Sequence, residues 1–321
     1  MSTFKGRLLE DTLDFIRIDN FEIENHDGYA FFLTHFHTDH FKGLLDPRFI
    51  EMLVKDEEKM LYCSSFTKHL VLNKVYCGIP AEKICVVEVN ATQVVNHSGR
   101  ESVQVTAIPA GHCPGSVMYL FEQGSTRVLY TGDFRIEPSD LSKIKPLHHK
   151  TGSLKEIETL YLDTTFCHPN FQSFPPRSQT LEDIVNLVQE WLGKSCNNQI
   201  GLWYNSYHGL EPLLISLSQR LKEIIWVPDK VSFTNYACIP ELERVLRSEP
   251  RSARIHLCPV KTQINCETCT RLGQYTKRIK PCAQSFNQKQ LEESRMKKGK
   301  KGEENVVRVA YSMHCSLDEL V

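Results

Sequence analysis

The chain runs to 321 residues with 38 basic and 39 acidic side chains, 12 cysteines and a net charge of −1. This length buries a sizeable core, in one large domain or two intimately joined ones, and the near-neutral charge excludes a whole-molecule field for nucleic acid, leaving only local basic patches. Irregularly spaced cysteines behind a start without signal character predict a reduced, intracellular protein rather than a disulfide framework, and no apolar stretch approaches the ~18 residues of a membrane span.

The first predicted element, Ile16-Arg17-Ile18, ends at Asp19. Tyr29-Ala30-Phe31-Phe32-Leu33 reads as a buried strand and is followed almost at once by His35-Phe36-His37-Thr38-Asp39-His40. Leu61-Tyr62-Cys63 is a further strand, leading to Ser64, Ser65, Thr67 and Lys68 at a helix start, where capping and a phosphate pocket draw on the same side chains. A β-branched run over 103–109 ends in the turn Ala110-Gly111-His112-Cys113-Pro114-Gly115-Ser116. Segments 127–133 and 159–163 repeat this design with Asp133 and Asp163 at their tips.

Beyond about residue 170 the pattern loosens at Phe174-Pro175-Pro176-Arg177. Apolar spacing predicts a helix over 181–192 with Gly193 as its stop, strands at 200–204, 224–227 and 253–257, and helices at 210–221 and 240–246. Residues 288–305 are polar and charged, which predicts a disordered loop, and 306–309 restores a strand leading to His314.

A lone HxH is usually a solvated loop, and a lone Asp after a strand is usually a turn or cap residue. Successive strand ends that each deliver a His or an Asp predict instead a metal site assembled from loops along one edge of a sheet. Neutral imidazole and carboxylate oxygen are the ligands of catalytic Zn²⁺ sites, which use fewer than four protein side chains per ion, so this set suffices for two ions.

His35-x-His37-x-Asp39-His40, followed by His112 and Asp133, resembles the motif series of the metallo-β-lactamase superfamily. The stretches Ala110-Gly111-His112-Cys113-Pro114-Gly115-Ser116, Thr131-Gly132-Asp133-Phe134-Arg135 and Tyr161-Leu162-Asp163-Thr164-Thr165 are similar to its β-CASP branch that repairs DNA. The similarity is dense over 1–170, thin to about 300, and returns at Tyr311-Ser312-Met313-His314. It implies an α/β fold: an αββα sandwich begun by 1–170, an inserted α/β β-CASP cap over 171–303, and a return to the sandwich at 304–321. In the family this fold continues into a helix and a last strand, so an end at Val321 is expected to leave the sandwich truncated.

By the same resemblance His35, His37, His112 and Asp133 hold one Zn²⁺. Asp39, His40 and a bridging Asp133 hold a second ion, at a site that also accepts Mg²⁺ or Mn²⁺. Asp39 then also orients the nucleophile, Asp19 steadies the ligand loop, and Asp163 orients the ligands. His314 faces the scissile phosphate, as a donor to its oxygen or to the leaving group. The implied activity is that of a metal-dependent DNA nuclease, a 5′-3′ exonuclease or a structure-specific endonuclease acting on ends, overhangs and hairpins. Its setting would be double-strand-break end joining or cross-link repair in the nucleus, beside a repair kinase and a ligation complex, with no membrane. The alternatives are an RNA-processing β-CASP nuclease, against which stand Cys113-Pro114-Gly115-Ser116 and the acid at Asp163, and a truncated non-catalytic scaffold.

Two further clusters stand apart. His256-x-Cys258 and Cys266-x-x-Cys269 have the ligand types of a closed structural Zn²⁺ site, with buried free thiols as the alternative. Trp226 stands where the resemblance looks for another His. Lys277 and Arg278, after Tyr275, are candidate DNA contacts beside Ser64, Thr67 and Lys68. The basic run at 295–301 is read as a phosphate grip or a solvated loop.

Overall fold

Short apolar runs separated by tight turns build the first part of the chain, and helical spacing dominates the second. In the computed structural model, which describes residues 3–74, 78–203, 208–250, 252–258, 266–300 and 305–321, these parts form two units, Met1–Thr165 and Phe166–Val321.

In the first unit, β1 (Ile16–Ile18), β2 (Ala30–Phe32), β3 (Met60–Cys63) and β4 (Ile84–Val86) form a parallel sheet in that order. Helices α1 (Pro47–Lys55) and α2 (Ser65–Asn73) cover one face. The Asp46 carboxylate caps α1 and Ser64 Oγ caps α2, satisfying amide donors that a helix start leaves open. Phe49, Leu53, Leu70 and Val71 thereby pack on Phe31, Leu33, Leu61 and Cys63.

The second sheet follows the order β5 (Thr92–Val95), β6 (Val103–Pro109), β7 (Val117–Gln123), β8 (Thr126–Tyr130) and β9 (Thr159–Tyr161). Its pairings are antiparallel up to the last, and β8 and β9 run parallel. Its inner face, including Val105, Ala107, Tyr119, Phe121 and Val128, packs on Ile16, Ile18, Ala30 and Phe32. Parallel strands buried on both faces need this continuous apolarity, and β1 and β2 are buried at every position. The result is the helix, sheet, sheet stacking of a metallo-β-lactamase sandwich. A one-turn helix, α3 (Pro138–Leu141), follows β8.

The second unit is an α/β sheet. Its elements in chain order are α4 (Arg177–Lys194), β10 (Gln199–Leu202), α5 (Glu211–Leu221), β11 (Ile225–Trp226), α6 (Lys230–Ala237), α7 (Pro240–Glu243), β12 (Leu246–Arg247) and β13 (Ile255–Leu257). They are followed by α8 (Glu267–Leu272), β14 (Thr276–Pro281), α9 (Gln288–Glu293), β15 (Met296–Lys298), β16 (Val306–Val309) and α10 (Leu317–Leu320). The strand order is β12-β11-β13-β10-β14-β16-β15, parallel except for the last pairing. Ile184, Val185 and Val188 of α4 and Leu213, Leu214 and Leu217 of α5 bury one face, which carries Ile200, Leu202, Ile255, Leu257 and Ile279.

The two compact units meet at 165/166. Several expectations are corrected. The strand expected to return to the sandwich, β16, pairs with β14 in the second unit, because Val307 and Val309 complete that unit's core. The expected disordered loop at 288–305 is largely ordered: an Asn287/Gln290 capping box starts α9, and β15 closes the sheet edge against β16. A lysine-rich edge strand is polar for the reason edges generally are, since charge discourages pairing with other chains. Residues 301–304, like Tyr204 at the end of one expected strand, lie outside the described residues. The helix expected at 240–246 is only one turn, after which Leu246–Arg247 joins the sheet.

Candidate metal centre

The turn after β2 and the turns after β6 and β8 bring ligand atoms of His35, His37, His112 and Asp133 within 4.8 Å of one another. His35 Nε2 lies 3.1 Å from His37 Nδ1, which lies 3.1 Å from His112 Nε2. Asp133 Oδ2 is 3.7 Å from both His35 Nε2 and His112 Nε2. Nitrogen and oxygen ligands of a tetrahedral ion, at about 2.0–2.2 Å, sit roughly 3.3–3.6 Å apart. The donor set therefore fits a divalent ion. The other carboxylate oxygen, Asp133 Oδ1, is 3.1 Å from His40 Nε2, so the two oxygens of Asp133 face three imidazoles, His35 and His112 on one side and His40 on the other.

The buried carboxylate of Asp19 sets the directions of these rings. Asp19 Oδ1 accepts from Thr34 N at 2.8 Å, and Oδ2 accepts from Thr34 Oγ1 at 2.7 Å and from His40 Nδ1 at 2.8 Å. With its proton given to Asp19, the Thr34 hydroxyl accepts from His35 Nδ1 at 3.0 Å. Both His35 and His40 are thus held as tautomers with Nε2 turned to the centre, the usual work of a residue behind a metal ligand. Asp19 adopts a left-handed backbone (φ 52°), uncommon for a residue with a side chain and tolerated best by Asp and Asn.

Without an ion the two rings differ in charge state: His35 is kept neutral, as a ligand must be, and His40 is held protonated between two carboxylates, a proton that an ion at Nε2 would displace. Burial, then the neighbouring His40, His37 and His112, hold the His35 pKa well below its ordinary value, keeping its lone pair available. Burial alone would lower His40 and raise Asp133. The Asp19 and Asp133 carboxylates instead push His40 well up, and the His40 hydrogen bond draws Asp133 well down.

The remaining candidates take distinct places. Asp39 is half-buried on the turn between His37 and His40 and is not one of the four converging residues. Asp163 joins two loops: its Oδ2 accepts from Phe134 N at 3.4 Å, and its own amide donates to Thr131 Oγ1 at 3.0 Å, which steadies the loop carrying Asp133. His314 belongs to the second unit, half-buried, with its ring edge-on to Phe166 and its amide donating to Ser312 Oγ.

The expected phosphate contacts at Ser64, Thr67 and Lys68 look inward. Ser64 and Thr67 are buried, and both hydroxyls donate to Gly115 O, at 2.6 and 3.3 Å, which anchors the His112 loop. Lys68 Nζ donates to Ala81 O at 2.9 Å and Ile84 O at 2.7 Å. Lys277 and Arg278 are successive residues of β14 and so point to opposite faces of the sheet, with the Lys277 ammonium 4.4 Å over the Trp191 ring.

Two residues at the centre carry no sequence signal of their own role. Thr34 has none because its role depends on Asp19 folding back over it. Gly132 read only as part of a turn, yet it has φ 52°, and a Cβ there would lie 2.8–2.9 Å from Thr34 Oγ1, Cβ and Cγ2. Gly132→Ala is expected to lower stability by roughly 2–4 kcal/mol, from left-handed strain plus crowding of Thr34, and urea unfolding measures this. An unchanged midpoint would mean that the loop relaxes away from Thr34.

A second constellation lies in the second unit. His256 on β13, Cys258 just beyond it, and Cys266 and Cys269 at the start of α8 are all buried, with ligand atoms within 4.8 Å of one another. His256 Nε2 is 3.9, 3.6 and 3.3 Å from the sulfurs of Cys258, Cys266 and Cys269, and Cys258 Sγ is 3.6 Å from Cys269 Sγ. The edges of a tetrahedron with Zn–S about 2.3 Å and Zn–N about 2.0 Å are roughly 3.5–3.8 Å. Space for the sulfurs comes from Gly201 of β10, where a Cβ would lie 2.8 Å from Cys269 Sγ and 3.1 Å from Cys258 Sγ. Trp226 packs beside His256 with ring centroids 5.8 Å apart, as a wall.

Comparison with known proteins agrees with this geometry. Residues 22–185 match the β-lactamase superfamily domain, and residues 240–321 match the DNA repair metallo-β-lactamase family. Protein artemis of Mus musculus is 38% identical over 263 residues, covering 80% of this chain and 36% of the relative. Protein artemis of Homo sapiens is 36% identical over 263 residues, covering 80% and 37%. The 5′ exonuclease Apollo of Rattus norvegicus is 35% identical over 208 residues, covering 60% and 35%. The chain spans little more than a third of the length of these relatives. A crystal structure of a protein of unknown function from Enterococcus faecalis V583 superposes with a TM-score of 0.57 at 15% identity, covering 89% of this chain and 70% of that one, a likeness of fold alone. With the family match over 22–185 and the ligand series of that family converging in space, the chain belongs to the metallo-β-lactamase superfamily and carries its DNA-repair subdivision's signature over 240–321.

Proposed function

We propose that this chain carries a metal-dependent phosphodiesterase that cuts DNA, working in the nucleus on DNA ends, overhangs or hairpins during repair, alongside a repair kinase and a ligation complex. The observation that carries the reading is the convergence of His35, His37, His112 and Asp133, with His40 on the other oxygen of Asp133. Zn²⁺ is the proposed first ion, since three imidazoles and one carboxylate are its ligand types, and the side of Asp133 facing His40 is proposed, together with Asp39, for a second ion, Zn²⁺, Mg²⁺ or Mn²⁺. The chemistry such ions supply is a nucleophile at neutral pH, by lowering the pKa of water from about 15.7 to about 7, and neutralisation of phosphate charge.

The chain's own groups then divide the work. Asp39 holds the attacking water, Asp19 fixes the imidazole tautomers, Asp163 fixes the Asp133 loop, and His314 donates to a phosphate oxygen or to the leaving group. The test is cleavage of end-labelled single-stranded DNA, a DNA hairpin and single-stranded RNA, with and without chelator. Chelator-sensitive DNA cutting is expected, reduced by at least about 10²-fold in Asp39→Asn. Preferential RNA cutting, or DNA cutting indifferent to chelator, would sink the proposal.

The cluster of His256, Cys258, Cys266 and Cys269 is proposed as a closed structural Zn²⁺ site. In the absence of an ion the thiols share protons: Cys266, accepting from Cys258 and Cys269, is drawn far down, while Cys258, donating and buried, is pushed far up. A doubly charged cation resolves that conflict by taking all three sulfurs as thiolates. Zinc is expected to protect all three from alkylation until chelator is added, and fast labelling of every one without chelator would end the idea.

A further inference from the structure

The row of residues crossing the second unit's sheet beneath the sulfur cluster runs His256, Gly201, Arg278. These occupy paired positions on the three adjacent parallel strands β13, β10 and β14. Paired residues on neighbouring strands, about 4.8 Å apart, point to the same face. The middle position lacks a side chain, and the slot so opened is shared. A Cβ on Gly201 would lie 2.8 Å from Cys269 Sγ, 3.1 Å from Cys258 Sγ and 3.3 Å from Arg278 Cγ. The arginine stem therefore runs along the same vacated space as two of the sulfurs.

Charge gives this placement a consequence. Zn²⁺ held by three thiolates and a neutral imidazole carries a net charge of about −1 by ligand count. All four ligands are buried, and a buried net charge is strongly disfavoured unless a counter-charge accompanies it. We propose that Arg278, a candidate DNA contact by its sequence context, is instead the counter-cation of this centre and a positioning residue for it, an inference that rests on the zinc reading of the cluster. Guanidinium suits the place because it stays protonated in any surroundings and offers several N–H donors for sulfur. Gly201 is the enabling residue, since any larger side chain would displace the sulfurs or the arginine stem.

The experiment is a Co²⁺ and Zn²⁺ titration of the whole chain, read by the thiolate-to-cobalt charge-transfer absorption. That signal is specific to this centre, because the His35/His37/His112/Asp133 site has no sulfur among its four ligands. Wild-type protein is expected to show the band and to lose it on Zn²⁺ addition. Arg278→Gln is expected to weaken metal binding at this centre by about 10–100-fold, the usual effect of losing a group that supports metal ligands. Arg278→Lys should recover most of the loss, because the charge returns. If Arg278→Gln does not fold, Arg278→Met keeps the stem in the slot and answers the same question.

A normal band with unchanged affinity in the neutral variants, accompanied by weaker DNA binding, would overturn the counter-cation role and restore Arg278 as a DNA contact. Absence of the band in wild type, unchanged in Cys269→Ser, would overturn the zinc reading itself and the inference with it.

Discussion

Asp133→Ala is expected to reduce DNA cleavage by at least about 10³-fold, close to 4 kcal/mol of transition-state stabilisation. The reason is its position rather than its charge alone. One oxygen faces His35 and His112 at 3.7 Å and the other faces His40 at 3.1 Å, so one deletion removes a ligand from both proposed ion positions. It also strips His40 of one of the two carboxylates that hold it between them. The fold should survive, because Asp133 sits on a loop and its side chain keeps 17% exposure. Metal content measured on dialysed protein should fall with activity while the unfolding free energy of the metal-free form stays within about 1 kcal/mol of wild type. Full metal content with more than a tenth of the wild-type rate would refute the bridging role.

Asp19 produces the second large effect, of a different kind. Its carboxylate receives Thr34 N, Thr34 Oγ1 and His40 Nδ1 in the buried interior. Alanine would leave three donors without partners, each costing about 1–3 kcal/mol, in a backbone conformation that alanine disfavours. A loss of roughly 3–6 kcal/mol is expected, a large share of the 5–15 kcal/mol that typically holds a domain together. Asp19→Asn should separate folding from metal binding. Asn tolerates the left-handed backbone, but it offers an NH₂ where an oxygen now accepts, so the Thr34–His35 relay or the His40 tautomer is lost. Its midpoint in urea should move far less than that of the alanine variant, with zinc affinity down about 10–100-fold. Equal urea midpoints for Asp19→Ala and wild type would show that the carboxylate is not the keystone described here.

The ligand types of the proposed metal centre were legible in the amino-acid sequence. Three imidazoles and a carboxylate within His35–His40 are a local property, readable because ligand type depends on side-chain identity and strand ends follow from apolar runs. The sequence likewise supplied the cysteines and histidine of the second cluster. Tertiary structure decided which of these residues meet and what surrounds them. Thr34 and Gly132 matter because β1 lies beside β2 and the loop after β8 folds against Thr34, a proximity between residues about a hundred positions apart in sequence. Ser64, Thr67 and Lys68 are expected from sequence to be available for phosphate, but the fold turns their donors to Gly115, Ala81 and Ile84: the two buried hydroxyls must find partners, and the half-buried Lys68 ammonium finds two carbonyls. The ordered segment at 288–300 was hidden because its strand is polar and gains its stability from pairing with β16 rather than from its own composition. Lys277 and Arg278 are neighbours in sequence and occupants of opposite faces in the sheet, so only strand register could reveal that Arg278 shares its space with the sulfurs. Ligand identity is local, whereas the partners that orient and neutralise ligands are chosen by contacts across strands, and those exist only once the chain has folded.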